Sequence, residues 1–285
     1  MKLKLVSHVI GDGDLLDAWF RYYRRLGITS FHLIVHGSRQ DNARLFDLAD
    51  SHSVVVEDCY EGPFDSKEKK RRLDSLLAGM RGQWLLLVDS DEFVEFPYRR
   101  LPMMIRMLEL AGANTLYAPM VQRVTSDGTL NTPDIVENPF LTFPLCSVNL
   151  YQKMGVQAFT SKYPLFYCDD HSLLTDGGNH RSPNGNDTVL SSLRGVTHHF
   201  KFRSSVSQRL DKRIHSLHPW RHESAQFQRY LESHAHRLPT EGSFEYSRDA
   251  LFRRGLLRKF TFSTGLRYLH RAMGEIPKGK DARNP

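Results

Sequence analysis

The stretch QWLLLVDSDEFV, residues 83–94, decides how the rest of the chain is read. Its apolar run, Trp84 to Val88, is continuous rather than alternating, which predicts a strand covered on both faces. Directly behind it stand three carboxylates, Asp89, Asp91 and Glu92. Working outward, KLKLVSHVI reads as a first strand. Asp14 then reads as the N-cap of a helix carrying Leu15, Leu16, Trp19, Tyr22, Tyr23 and Leu26 at helical spacing, with Gly27 as its stop. SFHLIVH is a second strand, DNARLFDLADSH a second helix and SVVVED a third strand. A basic helix over residues 66–80 precedes the quoted stretch, and a helix over 99–111 leads into the strand NTLYAPMVQRV. Strands separated by helices imply right-handed crossovers, hence an α/β fold: an open, mainly parallel sheet with helices on both faces.

Ligands of such sheets sit outside the carboxyl ends of the strands. Four predicted ends carry polar residues: Gly11-Asp12-Gly13-Asp14, His36-Gly37-Ser38, Glu57-Asp58 and Asp89-Ser90-Asp91-Glu92. Brought to one rim, they point to a nucleotide or nucleotide-sugar site. Two aspartates one position apart, where the backbone leaves the sheet, direct oxygens to one point and suit Mg²⁺ or Mn²⁺ carrying a diphosphate. Three carboxylates without a counter-charge repel one another, so a cationic partner is expected. A bare Asp-x-Asp also allows a plainer arrangement, with Asp89 capping a helix and the others solvated.

At 285 residues, 40% hydrophobic and 25% charged, the composition is that of a globular protein. No stretch approaches the roughly 18–20 apolar residues of a membrane span, and the opening MKLKLVSHVIGDGD lacks signal-peptide features, so a cytoplasmic protein is expected. Three cysteines fit neither a disulfide framework nor a zinc site and are read as reduced. The net charge of +7 is unevenly spread. Residues 201–285 carry 18 Lys+Arg against 8 Asp+Glu, whereas residues 1–200 carry 21 against 24. That cationic end suits an anionic lipid surface, a nucleic acid or an acidic polymer, or else simply solvated helix faces.

QWLLLVDSDEFV, together with LLDAWFRYYRRLGITSFHLIVHGSRQD, GGNHRS and VTHHFKFRSSVSQRLDKR, resembles the glycosyltransferase family 2 branch marked by a D-x-D-E-F signature. The matching features span most of residues 5–210. Where such proteins commonly place Asn-Glu after the first strand, this chain has Gly11-Asp12-Gly13-Asp14. The resemblance implies a GT-A-type domain that moves a sugar from a nucleoside diphosphate sugar to an acceptor hydroxyl, most often with inversion. It further implies Asp91 as principal metal ligand and Asp89 as a contact to the ribose or, through water, to the metal. Asp12 and either Glu57 or Asp58 would meet the nucleotide, and Lys69 and Arg72, one turn apart, the diphosphate. Of the two histidines in VTHHFKF, which alternation sends to opposite faces, His198 is taken as a further metal ligand. His180, flanked by Gly177 and Gly178, falls where related segments carry a histidine.

The chemistry asks for the same parts. The leaving diphosphate gathers negative charge, so a cation and basic side chains beside it lower the barrier. The acceptor hydroxyl must lose a proton, and Glu92, Asp169, Asp170 and His180 are the candidate bases. Residues 1–204 are expected to form the catalytic domain, with 1–125 binding the nucleotide sugar and 126–204 facing the acceptor, and 205–285 a basic helical extension. Within that extension RDALFRRGLLRKFTFSTGLRYLHRAM reads as a cationic amphipathic helix. It would dock on an anionic membrane bearing lipid-linked acceptors, or pack on the domain; the final GEIPKGKDARNP reads as disordered. A haloacid-dehalogenase-like phosphatase fits poorly, because its paired aspartates follow the first strand. A nucleic-acid-binding role would leave the carboxylates behind the buried strand unexplained. A non-catalytic transferase-like domain is the remaining alternative.

Overall fold

The computed structural model describes residues 3–49, 51–52, 54–133, 138–174, 179–215 and 220–259. In chain order the elements are β1 (Lys4–Val9), α1 (Leu16–Leu26), β2 (Ser30–His36), α2 (Ala43–Ala49), β3 (Val54–Tyr60), α3 (Ser66–Ala78), β4 (Gln83–Leu87), β5 (Glu92–Glu95), α4 (Leu101–Leu110) and β6 (Thr115–Val124). There follow α5 (Pro139–Thr142), β7 (Leu145–Ser147), α6 (Leu150–Lys153), β8 (Ser161–Cys168), β9 (Leu190–Arg194), β10 (Val196–His199), α7 (Val206–Ile214), α8 (Arg221–Ser233), β11 (Phe244–Glu245) and α9 (Arg248–Arg253).

The sheet runs β11-β7-β6-β8-β4-β1-β2-β3, with β9 and β10 each paired to β6 and β5 paired to β10. Strands β4, β1, β2 and β3 are parallel, as the helix-separated strands predict. Beyond β4 the pairing turns antiparallel, through β8, β6, β7 and β11. The fold is therefore mixed α/β, its parallel half carrying the rim where β1, β2, β3 and β4 end.

Period-2 alternation explains the two layers. Leu5, Val9, Leu33, Val35, Leu86 and Val88 face α1 and α4 in one core, whereas Val6, Ile34, Leu85 and Leu87 face Leu73 and Leu77 of α3 in another. Gly27 ends α1 in the left-handed region at φ 103°, where a side chain would be strained. The start of α1 corrects the sequence: its N-cap residue is Leu15, with no side-chain capping bond, and Asp14 instead meets Arg203. A second correction is β5, where Glu92–Glu95 pairs antiparallel with β10 rather than opening a loop or helix.

The described residues of 205–259 are woven into the same fold. Leu210, Phe227 and Leu231 share a core with Val124, Leu150 and Phe202, and β11 extends the sheet beside β7. The expected long cationic helix is short: α9 stops at Arg253, Gly255 takes a positive φ, and Leu251 and Leu257 are buried against Val121, Val196 and Phe244. Phe260, Phe262 and the remainder of that segment lie outside the described residues, as do Gly177 and Gly178. Among the described residues no helix is long and apolar enough to cross a membrane.

Candidate active site

The acidic motif sits where β4 leaves the sheet. Asp89 receives two ammonium groups, Lys69 Nζ on Oδ1 at 2.9 Å and Lys162 Nζ on Oδ2 at 3.1 Å. Lys162 also donates to Glu92 Oε1 at 2.6 Å, and the Asp89 backbone N–H donates to Glu92 Oε2 at 3.3 Å. Glu92 and Lys162 are nearly sealed from solvent, their side chains 2% and 3% exposed. Burial alone would raise the Asp89 carboxyl, but Lys162 and Lys69 outweigh it and hold Asp89 well below the usual carboxylate range. For Glu92 burial prevails and its carboxyl is pushed up.

Asp91 points the other way. Its Oδ2 lies 3.3 Å from His199 Nε2 and 3.9 Å from Arg209. Burial opposes its ionisation, yet His199, Arg203 and Arg209 keep it well below its ordinary value. Below it Asp12 accepts from Arg203 at 2.6 Å, Arg209 at 2.9 Å and the Ser90 hydroxyl at 2.6 Å. Arg203, wholly buried, spans Asp12, Asp14 and the Phe200 carbonyl. Five carboxylates (Asp12, Asp14, Asp89, Asp91 and Glu92) thus stand against four fixed cations (Lys69, Lys162, Arg203 and Arg209). The expected counter-charge is largely supplied by the protein itself.

Asp91, Glu92 and His199 present ligand atoms within 4.8 Å of one another. Both Glu92 oxygens are already engaged, by Lys162 and by the Asp89 N–H, which leaves Asp91 and His199, a carboxylate and an imidazole that suit Mn²⁺, and Mg²⁺ less well because of the nitrogen donor. The donor set therefore fits the metal that the sequence implies.

A second grouping lies at the ends of β1, β2 and β3. His36 stacks on Tyr60 with ring centroids 4.7 Å apart and an angle of 8°. His8 Nε2 lies 2.9 Å from the Tyr60 hydroxyl, and Phe64 packs against both histidines. Burial, reinforced by Lys69, drops the His8 pKa to about 2, so this imidazole is neutral. Arg72 lies over the Tyr60 ring at 4.0 Å and pairs with Asp58 and Glu68.

The structure brings some of the expected residues together and not others. Asp89, Asp91, Glu92 and Lys69 form one cluster. His198 does not join it: alternation along β10 turns it into the core, where its Nε2 meets Glu95 Oε2 at 3.1 Å, and the neighbour His199 faces Asp91 instead. Asp170 lies at the opposite end of the strands, because antiparallel β8 sets Cys168 across from Gln83 at the start of β4; its side chain is 80% exposed and faces Arg81. Glu57 falls in a bulge of β3 below the rim and is tied to His32 at 2.6 Å. Asp58 and Arg72 neutralise one another beside Tyr60 rather than in the acidic cluster. Asp12 is a buried strut of the ion network, its oxygens bound to Arg203, Arg209 and Ser90. Asp169 accepts from Ser172 within its own turn. His180 is at the rim, its Nδ1 2.9 Å from the Ser161 carbonyl, next to Lys162, and its ring stacked on exposed Phe159.

Lys162 lies outside every stretch that the sequence singles out, and Ser90 and Arg209 lie within such stretches without a signal of their own. Lys162 lies in SKYPLFYC, whose proline and lysine disguise a strand, and Arg209 begins as one of many basic residues in a cationic segment. The single available clue was the acidic cluster's need for counter-charge.

No protein-family model matches the chain, and no curated protein matches it. Among solved structures, the chain is similar to S. aureus TarS 1-349 in complex with UDP-GlcNAc, at 11% identity over 97% of this chain and 82% of that one, with a TM-score of 0.39. The same TarS fragment in complex with UDP gives 11% identity over 95% and 78%, TM-score 0.37. UDP-glucose pyrophosphorylase complexed with UDP-glucose gives 8% over 48% and 65%, TM-score 0.28. All three TM-scores lie below 0.5, so the functional reading rests on the site's own residues.

Proposed function

We propose that the chain is a metal-dependent glycosyltransferase that moves a sugar, with inversion, from a nucleoside diphosphate sugar to a hydroxyl of a glycan or lipid-linked acceptor in surface glycan or glycoconjugate synthesis. The observation that carries this reading is the convergence at one sheet rim of a metal-competent Asp91–His199 pair, a basic lining and a stacked aromatic group. Mn²⁺ or Mg²⁺ held there would supply positive charge to the diphosphate oxygens. Lys69, at the edge of the cluster, is placed to meet the same phosphates, and the His36–Tyr60 stack, covered by Arg72, stands at the neighbouring strand ends.

In the transfer, the acceptor oxygen forms a bond to the anomeric carbon as that carbon's bond to the phosphate oxygen breaks, the electron pair leaving with the nucleoside diphosphate. The hydroxyl proton needs a base on the open side of the sugar. Glu92, sealed beneath the cluster and held by Lys162, is poorly placed for this, and Asp170 is remote. His180 is the candidate that stands at the rim, its Nδ1 directed at the Ser161 carbonyl. Purified protein mixed with a panel of nucleoside diphosphate sugars and Mn²⁺ or Mg²⁺ tests the reading through binding and donor cleavage. A panel in which nothing binds or is cleaved, with Asp91→Ala behaving as the native chain, contradicts it.

A further inference from the structure

Lys162 is a buried ammonium in an unusual place. The antiparallel register that pairs Leu86 with Leu165, carried three residues on, sets Lys162 across from Asp89 on the strand beside it. Its Nζ bridges Asp89 Oδ2 at 3.1 Å and Glu92 Oε1 at 2.6 Å. The remaining oxygens of those two carboxylates are engaged as well, Asp89 Oδ1 by Lys69 and Glu92 Oε2 by the Asp89 N–H. A divalent ion approaching the motif would meet these four oxygens already bound to donors, three of the contacts coming from ammonium groups. Asp91 is different: its Oδ2 faces an imidazole and, at a longer distance, a guanidinium.

We propose that Lys162 acts as a resident cation within the acidic motif. It neutralises Asp89 and Glu92, keeps both out of direct metal coordination, and leaves the divalent ion to Asp91 and His199. This rests on the metal-dependent reading given above. Lys162 is accordingly a positioning residue that sets metal affinity. A purely structural lysine would lower stability when replaced and leave metal affinity unchanged. A lysine standing in for a cation predicts the opposite sign: removing one fixed positive charge a few ångströms from the site should tighten divalent binding about tenfold or more.

The test is Mn²⁺ titration of the full chain without nucleotide, followed by calorimetry or by Mn²⁺ electron paramagnetic resonance, in the native protein and in Lys162→Gln, Lys162→Arg, Asp89→Asn and Asp91→Asn. The expected pattern is Mn²⁺ binding about tenfold tighter or more in K162Q, a native-like value in K162R, a weakening of about tenfold in D89N from the one negative charge removed, and loss of binding in D91N. Mn²⁺ affinity that is unchanged or weaker in a folded K162Q overturns the proposal. If K162Q does not fold, the decision passes to D89N, and a loss there as large as in D91N overturns it. Absence of Mn²⁺ binding in both the native protein and K162Q overturns it too, whereas binding by K162Q alone supports it. UDP-sugar binding, measured separately with and without Mn²⁺, stands or falls on its own, so failure of the nucleotide-sugar reading is distinguishable.

Discussion

At the scale of single residues, neighbours in sequence have opposite duties. His198 and His199 are adjacent, yet one is walled into the core against Glu95 and the other faces Asp91. Replacing His199 with Ala should lower donor cleavage by about 10²–10³-fold with little loss of stability, if the imidazole helps hold charge on the leaving group. Replacing His198 with Ala should instead cost about 2–4 kcal/mol, because Glu95 is left buried with one partner fewer, and the surviving folded fraction should cleave donor normally. Thermal unfolding and cleavage rates on both variants separate the two roles. His180→Gln should depress transfer to acceptor while leaving nucleotide-sugar affinity within about threefold, the pattern of a group that acts on the acceptor alone. The sequence announced Asp89, Asp91 and Glu92 through the run before them. It could not choose between His198 and His199, because alternation states that they diverge without stating which side faces the site. Lys162 was hidden because its partners are 70 and 73 residues away in the chain.

Among the elements, α1 is a brace for the motif as much as a layer of the core. Trp19 Nε1 and the Tyr23 hydroxyl both donate to the Glu92 carbonyl, at 3.0 and 2.9 Å, and the Val94 N–H donates to the Tyr23 oxygen at 3.0 Å. Tyr23→Phe leaves the buried Val94 N–H unpartnered and should cost about 1–3 kcal/mol by chemical denaturation. Strand β1 carries the pH dependence. His8 is buried with a pKa of about 2 against 6.5 when exposed, so above pH 6.5 it is neutral whether the chain is folded or not. As the pH falls below that value the unfolded chain takes up a proton that the folded chain refuses, and stability declines by up to about 1.4 kcal/mol per pH unit. His198, lowered chiefly by burial, acts in the same direction. Stability measured from about pH 6.5 to 5, above the range where the carboxyls of the unfolded chain begin to take up protons, should fall less steeply in His8→Gln than in the native protein. The βα alternation through β4 and the strand β6 were legible because each apolar run is long and bounded by helices. The four-residue β5 is too short to display a period, and β8 breaks its own pattern with Lys162 and Pro164.

For the whole molecule, the unexpected feature is how firmly the far end of the chain grips its beginning. Arg203 joins Asp12 and Asp14 across some 190 residues, and Arg248 reaches back to Glu95 at 2.5 Å and to the Phe96 and Pro97 carbonyls. A basic segment that composition offers as a surface for anionic partners thus spends several of its arginines inside the fold. Charge surplus records how many cations a segment holds, and only packing shows where they point. Arg203→Met should take the guanidinium from Asp14 and leave Asp12 to Arg209 and Ser90, at a cost of about 3–5 kcal/mol, seen as a lowered melting temperature. The rim that this network assembles is tested by equilibrium binding of UDP-sugars and other nucleoside diphosphate sugars to the native chain and to Asp91→Asn, each with and without Mn²⁺. At least one donor should bind saturably and more tightly with Mn²⁺ in the native chain, with that strengthening absent in the folded variant. Equal binding by the two proteins, or none by either, would contradict the proposed function.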